Sequence, residues 1–160
     1  MGEVRIAVPQ DLQALMGLAL ASCKENGFVN PNPDKLANEI WPALHLDHGV
    51  VGIIEDLKGQ AEGGVLLRVG SMWYSDQMVV EEKAIFIHPD FREAKGERAK
   101  KLFQFSKSVA DSLNMPLMIG VLSNERTKAK VRMYEREFGK ASGAYFLYGA
   151  KTGISHEAVE

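Results

Sequence analysis

Apolar and polar positions along this chain recur with two periods, and the changes of period mark its elements. Residues 4–8 alternate as a short strand that stops at Pro9, because the residue before a proline is biased to extended backbone. Leu12, Leu15, Met16, Ala19 and Cys23 then fall on one helical face, which fades at Asn26 and Gly27. After the loop 30–33, Asn32, Pro33 and Asp34 read as cap, first helical position and acidic first turn of a second helix carrying Leu36, Ile40 and Leu44. Pro42 is expected to bend or interrupt it. Residues 49–54 read as a buried strand, 63–74 as a longer strand with a bulge at Gly70, and 78–87 as a third, joined by the turns 55–60 and 75–77. The period then returns to that of a helix, with Ala99, Leu102, Phe103, Ser106, Val109, Ala110 and Leu113 on one stripe. Residues 117–121 form the next strand. Thr127, Val131, Tyr134 and Phe138 mark a last helix closed by Gly139, residues 143–149 a final strand, and 150–160 a loose tail.

This order predicts an antiparallel meander whose last strand is joined through a crossover helix to a parallel neighbour. In such a unit ligands gather at the carboxyl ends of the strands, here at residues 88–99. No repeat, low-complexity tract or linker divides the chain, so residues 1–149 read as one domain and 150–160 as its tail.

Composition narrows the function. With 46% hydrophobic and 25% charged residues in 160, the chain can bury a core without staples. Its single cysteine, Cys23, forms no internal disulfide and sits on an apolar stripe as a core residue. No stretch reaches the length of a membrane span and the first residues begin no signal peptide, so a cytoplasmic location is expected. A net charge of −2 argues against nucleic acid as a partner. His45 and His48 stand close together without further ligands, and no metal site is expected.

The chemistry concentrates where strand 84–87 runs through His88, Pro89, Asp90, Phe91 and Arg92 into a turn at Gly96 and a helix mouth. Such a turn aims backbone N–H groups and a positive helix end at one point, which suits a phosphate. Arg92, Lys95, Arg98, Lys100 and Lys101 add charge around it. Strand, His-Pro-Asp-Phe-Arg, small-residue turn and amphipathic helix together resemble the acetyl-coenzyme A site of the GNAT superfamily of N-acetyltransferases. The turn departs from that family's pattern, with one residue too many, a single glycine, and Glu97 at the first glycine position if Ala99 is the last small one.

The resemblance implies an α/β (α+β) fold: a mixed, mostly antiparallel sheet of six to seven strands, a central parallel pair splayed apart, and about four helices. It implies acetyl-CoA as acyl donor, bound by the backbone of Ile85, Phe86 and Ile87 and by the turn Arg92, Lys95, Gly96, Glu97, Arg98 and Ala99, with Asn124 matching the asparagine after the fifth strand. Tyr134, followed by a short run to Gly139, resembles the family's tyrosine that protonates the leaving thiolate. An amine must lose a proton before it attacks, and Glu81 or Glu82 is the candidate base; successive strand residues face opposite ways, so one of the two faces the cleft. Strand parity leaves the choice open. The acceptor, a small-molecule amine or a protein or peptide amine, is not named by the sequence, and a homodimer through the final strand or the Trp73 region is compatible with it. The same motifs resemble small GNAT-like proteins of phage and prophage genomes. The competing expectation, prompted by Glu97 and the irregular turn, is a catalytically inactive GNAT-shaped module that acts through a protein partner.

Overall fold

The computed structural model describes residues 2–92, 96–123 and 126–149. Five strands form one sheet in the order β1 (Arg5–Ile6), β2 (Gly49–Glu55), β3 (Ala61–Ser71), β4 (Met78–Ile87) and β5 (Leu117–Met118). The first four pair antiparallel, and β5 lies parallel to β4 at the sheet edge. Helices α1 (Leu12–Asn26) and α2 (Pro33–Leu44) cover one face. The other carries α3 (Glu97–Leu113), against which α4 (Thr127–Phe138) packs through Phe103, Tyr134 and Phe138.

Two apolar layers result, because β2 and β3 are buried on both sides. Val51, Ile53 and Leu66 meet Leu15, Leu18 and Ile40 under α1 and α2. Val65, Leu67 and Val80 meet Leu102 and Ala110 of α3. The stripe expected on α3 is the one buried, with Leu102, Phe103 and Ser106 fully enclosed.

Local chemistry sets the helix ends. Asn32 caps α2, its side-chain oxygen accepting from the N–H groups of Asp34 and Lys35 at 3.0 and 3.2 Å. Gly27 ends α1 and Asn114 ends α3, both left-handed. Pro42 does not interrupt α2: it sits in the last turn, and the helix stops two residues on at Leu44. Arg5 ties β1 to the rest by bonding Asp11 at 2.9 Å and Glu55 at 2.9 and 3.0 Å.

Several expectations need correction. The sheet has five strands rather than six to seven, and the parallel pair lies at its edge rather than its centre. The expected final strand, 143–149, is not formed: the described residues after Gly139 carry no strand, and Tyr145, Phe146 and Tyr148 are over 90% exposed. A strand needs a ladder partner, and β5 offers an edge only two residues long. β3 ends at Ser71, leaving Trp73 and Tyr74 exposed in the turn. The bulge lies at Lys83 of β4 rather than at Gly70, since Leu66 pairs with Ala84 but the next residue, Leu67, pairs with Glu82. The segment 150–160 lies outside the described residues.

Candidate active site

The site begins with what β5 fails to do. It pairs with β4 only at Val80–Leu117 and Glu81–Met118, so from Glu82 onward the outer edge of β4 has no strand beside it among the described residues. A cavity of about 1080 Å³ opens there, lined by Ile85, Phe86 and Ile87, by the start of α3, and by α4. Backbone groups on an unpaired edge seek other hydrogen-bonding partners, and an extended polar ligand supplies them.

At one end of the cavity lies the turn into α3. Gly96 adopts φ +62°, which favours glycine, and a Cβ there would stand 2.8 Å from the sulfur of Met133 on α4, so that flexible side chain would have to shift. The first turn of an α-helix leaves its N–H groups without acceptors inside the helix, and in α3 that turn is residues 97–99. Gly96, Arg98 and Ala99 line the cavity whereas Glu97 does not. The Glu97 carboxylate turns outward to Lys100 at 3.5 Å, which removes the conflict with a bound anion. Lys95 and Asn124 fall outside the described residues.

The arginines are tied down. Arg98 forms an ion pair with Glu62, which is only 1% exposed, donates to the Phe91 carbonyl at 3.0 Å and stands 5.0 Å over the Phe91 ring. Its guanidinium thus anchors the start of α3 to β3. Arg92 bonds the Ile87 carbonyl at 3.1 Å and both oxygens of Glu25 at 2.5 and 2.8 Å, linking the turn to the end of α1. This pair, with Lys130 nearby, holds Glu25 below the usual carboxylate range. Lys101 does not line the cavity and bonds the Gly2 carbonyl at 3.0 Å and Glu3 at 2.9 Å. Further positive charge at the cavity comes from Arg126, Arg132 and Arg136 of the α4 segment.

At the other end the bulge decides between the two glutamates. Directly paired residues share a face, so Glu82, opposite Leu67, lies on the α3 side, and Glu81, opposite Arg68, lies on the α1 side. Glu81 bonds Lys83 at 2.9 Å. Burial pushes the Glu82 carboxyl up to about 7, against the opposing pull of the Gly120 N–H, with the negative charge of Glu81 adding to the rise. Tyr134 is half-buried, its ring edge-on to Phe103 at 4.6 Å. Its hydroxyl is pushed above the usual phenol range, first by burial and then by the charge of Glu82. Glu82 and Tyr134 therefore sense one another inside a single cavity. No metal cluster accompanies them: among the described residues no three His, Cys, Asp or Glu side chains converge.

Of the described residues proposed as catalytic or donor-binding, all but Glu97 line this one cavity, whereas Lys100 and Lys101 do not. The sequence reading missed Gly120, Met133 and, within α1 and α2, Ala19, Ser22, Leu36, Ile40 and Cys23, the last half-buried on the cavity rather than in the core. The near-regular apolar spacing of α1 and α2 gave no sign of which residues border a void. Gly96 carried the one usable signal, since a lone glycine before a helix invites the question of what approaches it.

No protein-family model matches the chain, and no curated protein sequence matches it. Solved structures do. An integron cassette protein from the mobile metagenome of Cole Harbour Salt Marsh superposes with a TM-score of 0.70 at 22% identity, covering 97% of this chain and 94% of its own. A possible acetyltransferase from Clostridium difficile 630 gives 0.66 at 17%, covering 94% and 97%. AAC(6')-Iy, solved with the bisubstrate analogue CoA-S-monomethyl-acetylneamine, gives 0.66 at 21%, covering 93% and 97%. The chain has the fold of the GNAT N-acetyltransferases.

Proposed function

We propose that the protein is an N-acetyltransferase that moves an acetyl group from acetyl-CoA directly to an amine, with Glu82 and Tyr134 handling the protons. The observation that carries this reading is the shared cavity: an unpaired β4 edge, a helix mouth, a carboxyl at about 7 and a shielded phenol all border it. A structural neighbour solved with a CoA-containing bisubstrate analogue supports the choice of donor.

Bound in the cavity, acetyl-CoA supplies an acetyl group activated as a thioester. The backbone of Ile85, Phe86 and Ile87 and the amides of residues 96–99 hold the donor, the latter at its diphosphate. Glu82 takes the proton that the acceptor ammonium must lose, a task suited to a carboxyl that exchanges protons near neutrality. The amine nitrogen then bonds the acetyl carbon, the carbon–sulfur bond breaks as Tyr134 gives its proton to the sulfur, and the second proton shed by the new amide nitrogen restores the Tyr134 phenol. The two residues assist one another: a protonated Glu82 no longer opposes the loss of the Tyr134 proton. Cys23 takes no part, and transfer proceeds without an acyl-enzyme.

The alternative of an inactive binding module was prompted by Glu97 and by the irregular turn; the Glu97 carboxylate is directed to Lys100, and residues 93–95 of the turn lie outside the described residues. Calorimetry with acetyl-CoA, followed by detection of free coenzyme A on an amine panel, tests the reading. Micromolar binding and amine-dependent release are expected; no binding at millimolar donor rules it out.

A further inference from the structure

The cavity does not stay on one face of the sheet. Ile85 and Ile87 belong to the apolar layer under α3, Ala84 and Phe86 to the layer under α1 and α2, and both sets line it. It therefore wraps the open edge of β4 and continues into a second lobe beneath α1 and α2. Ala19, Leu36, Ile40 and Leu66 line that lobe; its polar groups are Ser22, Cys23, Glu25 and Asn26 of α1, with the Glu25 carboxylate already held by Arg92 at 2.5 and 2.8 Å. The charges are sorted along the cavity. Its α4 end carries Arg126, Lys130, Arg132 and Arg136, while Glu82 and the Glu81–Lys83 ion pair stand where the two lobes join.

A ligand that fits this sorting is anionic at one end, carries a single positive charge at the junction, and has an apolar body beyond. A sugar polyamine does not fit. Each ammonium or hydroxyl laid against Leu36, Ile40 and Leu66 would lose water without gaining a partner, at about 1–3 kcal/mol per group. We propose that the acceptor is a monoamine with a compact aliphatic or aromatic body, its nitrogen at Glu82 and its hydrocarbon over Leu36, Ile40 and Leu66. This rests on the acyl-transfer reading above.

The test uses the full-length protein, with acetyl-CoA binding measured first. Acetylation of 2-phenylethylamine and hexylamine is then compared with that of kanamycin and spermidine by product chromatography. The apolar amines are expected to show kcat/KM at least tenfold higher. Replacing half-buried Leu36 by tryptophan, which fills the lobe, is expected to raise KM for 2-phenylethylamine about tenfold and to leave acetyl-CoA affinity unchanged. A second readout does not depend on turnover. Cys23, the only cysteine, lines the lobe, and its alkylation by N-ethylmaleimide without donor present is expected to slow several-fold with 2-phenylethylamine and not with kanamycin. Preference for kanamycin or spermidine, or acetyl-CoA binding with no turnover of apolar amines and no protection of Cys23, overturns the acceptor class and leaves the donor site standing. Absence of acetyl-CoA binding removes both.

Discussion

Glu82 and Tyr134 are each ordinary residue types made unusual by burial, and their behaviour is measurable one substitution at a time. Tyr134→Phe keeps the ring against Phe103 and deletes only the proton donor, so kcat is expected to fall by about 10²-fold or more while acetyl-CoA affinity stays within a factor of two. For Glu82 the pH profile is the sharper measurement. A base with its pKa raised to about 7 gives a kcat/KM that climbs with pH and levels off above that value, and Glu82→Gln should abolish the climb along with most of the rate. Stability should move the opposite way. The folded chain keeps the Glu82 proton up to about pH 7, whereas an unfolded chain releases it near 4.5, so between these values the folded state binds more protons and stability falls as pH rises. Urea titrations at pH 5 and pH 7.5 should show this contribution shrinking in Glu82→Gln. Here the sequence was only half legible. Strand alternation said that Glu81 and Glu82 face opposite ways, yet both border the cavity, and which of them lies on the α3 side turned on the extra residue at Lys83, for which the local composition gives no cue.

Among the elements, α3 matters most, because its beginning shapes the donor end of the cavity. Three features set that beginning: Gly96 in a left-handed conformation, Met133 pressed against it, and Arg98 locked to Glu62. Gly96→Ala strains the backbone and displaces Met133, and acetyl-CoA is expected to bind about tenfold more weakly, equivalent to about 1.4 kcal/mol by calorimetry. Arg98→Met leaves the Glu62 carboxylate buried and unpaired, and urea denaturation should report a loss of about 3–5 kcal/mol. Combining it with Glu62→Leu should recover part of that loss, since two apolar side chains replace the pair. The helix itself was plain in the sequence through its apolar stripe, and it begins at Glu97, two positions before the stripe does. The role of Arg98 was not plain. A cation in a basic turn looks like an anion ligand until the buried acid opposite it, far away in sequence on β3, comes into view.

At the scale of the molecule, element order was the most legible property. Three antiparallel strands, a crossover helix and a parallel neighbour follow from period changes and turn residues, and the sheet has that order. The region beyond β5 was legible as helix only. The alternating aromatics at 145–148 promised a strand, but sheet membership depends on a free ladder of matching length, which no local pattern encodes. The shortness of β5 has a thermodynamic side. The ring cluster about Phe103, the contact of Met133 with Gly96 and the ties from Lys107 and Gln104 to Glu137 hold α4 to α3, while β5 before it is held by two ladder positions. Deuterium uptake should accordingly be faster in α4 than in β2 and β3, and saturating acetyl-CoA should slow it in α4. Tyr134 rides on this part of the chain, so in the reaction proposed above, holding the donor and seating α4 would be a single equilibrium, with some of the binding energy consumed in placing the helix that carries the proton donor.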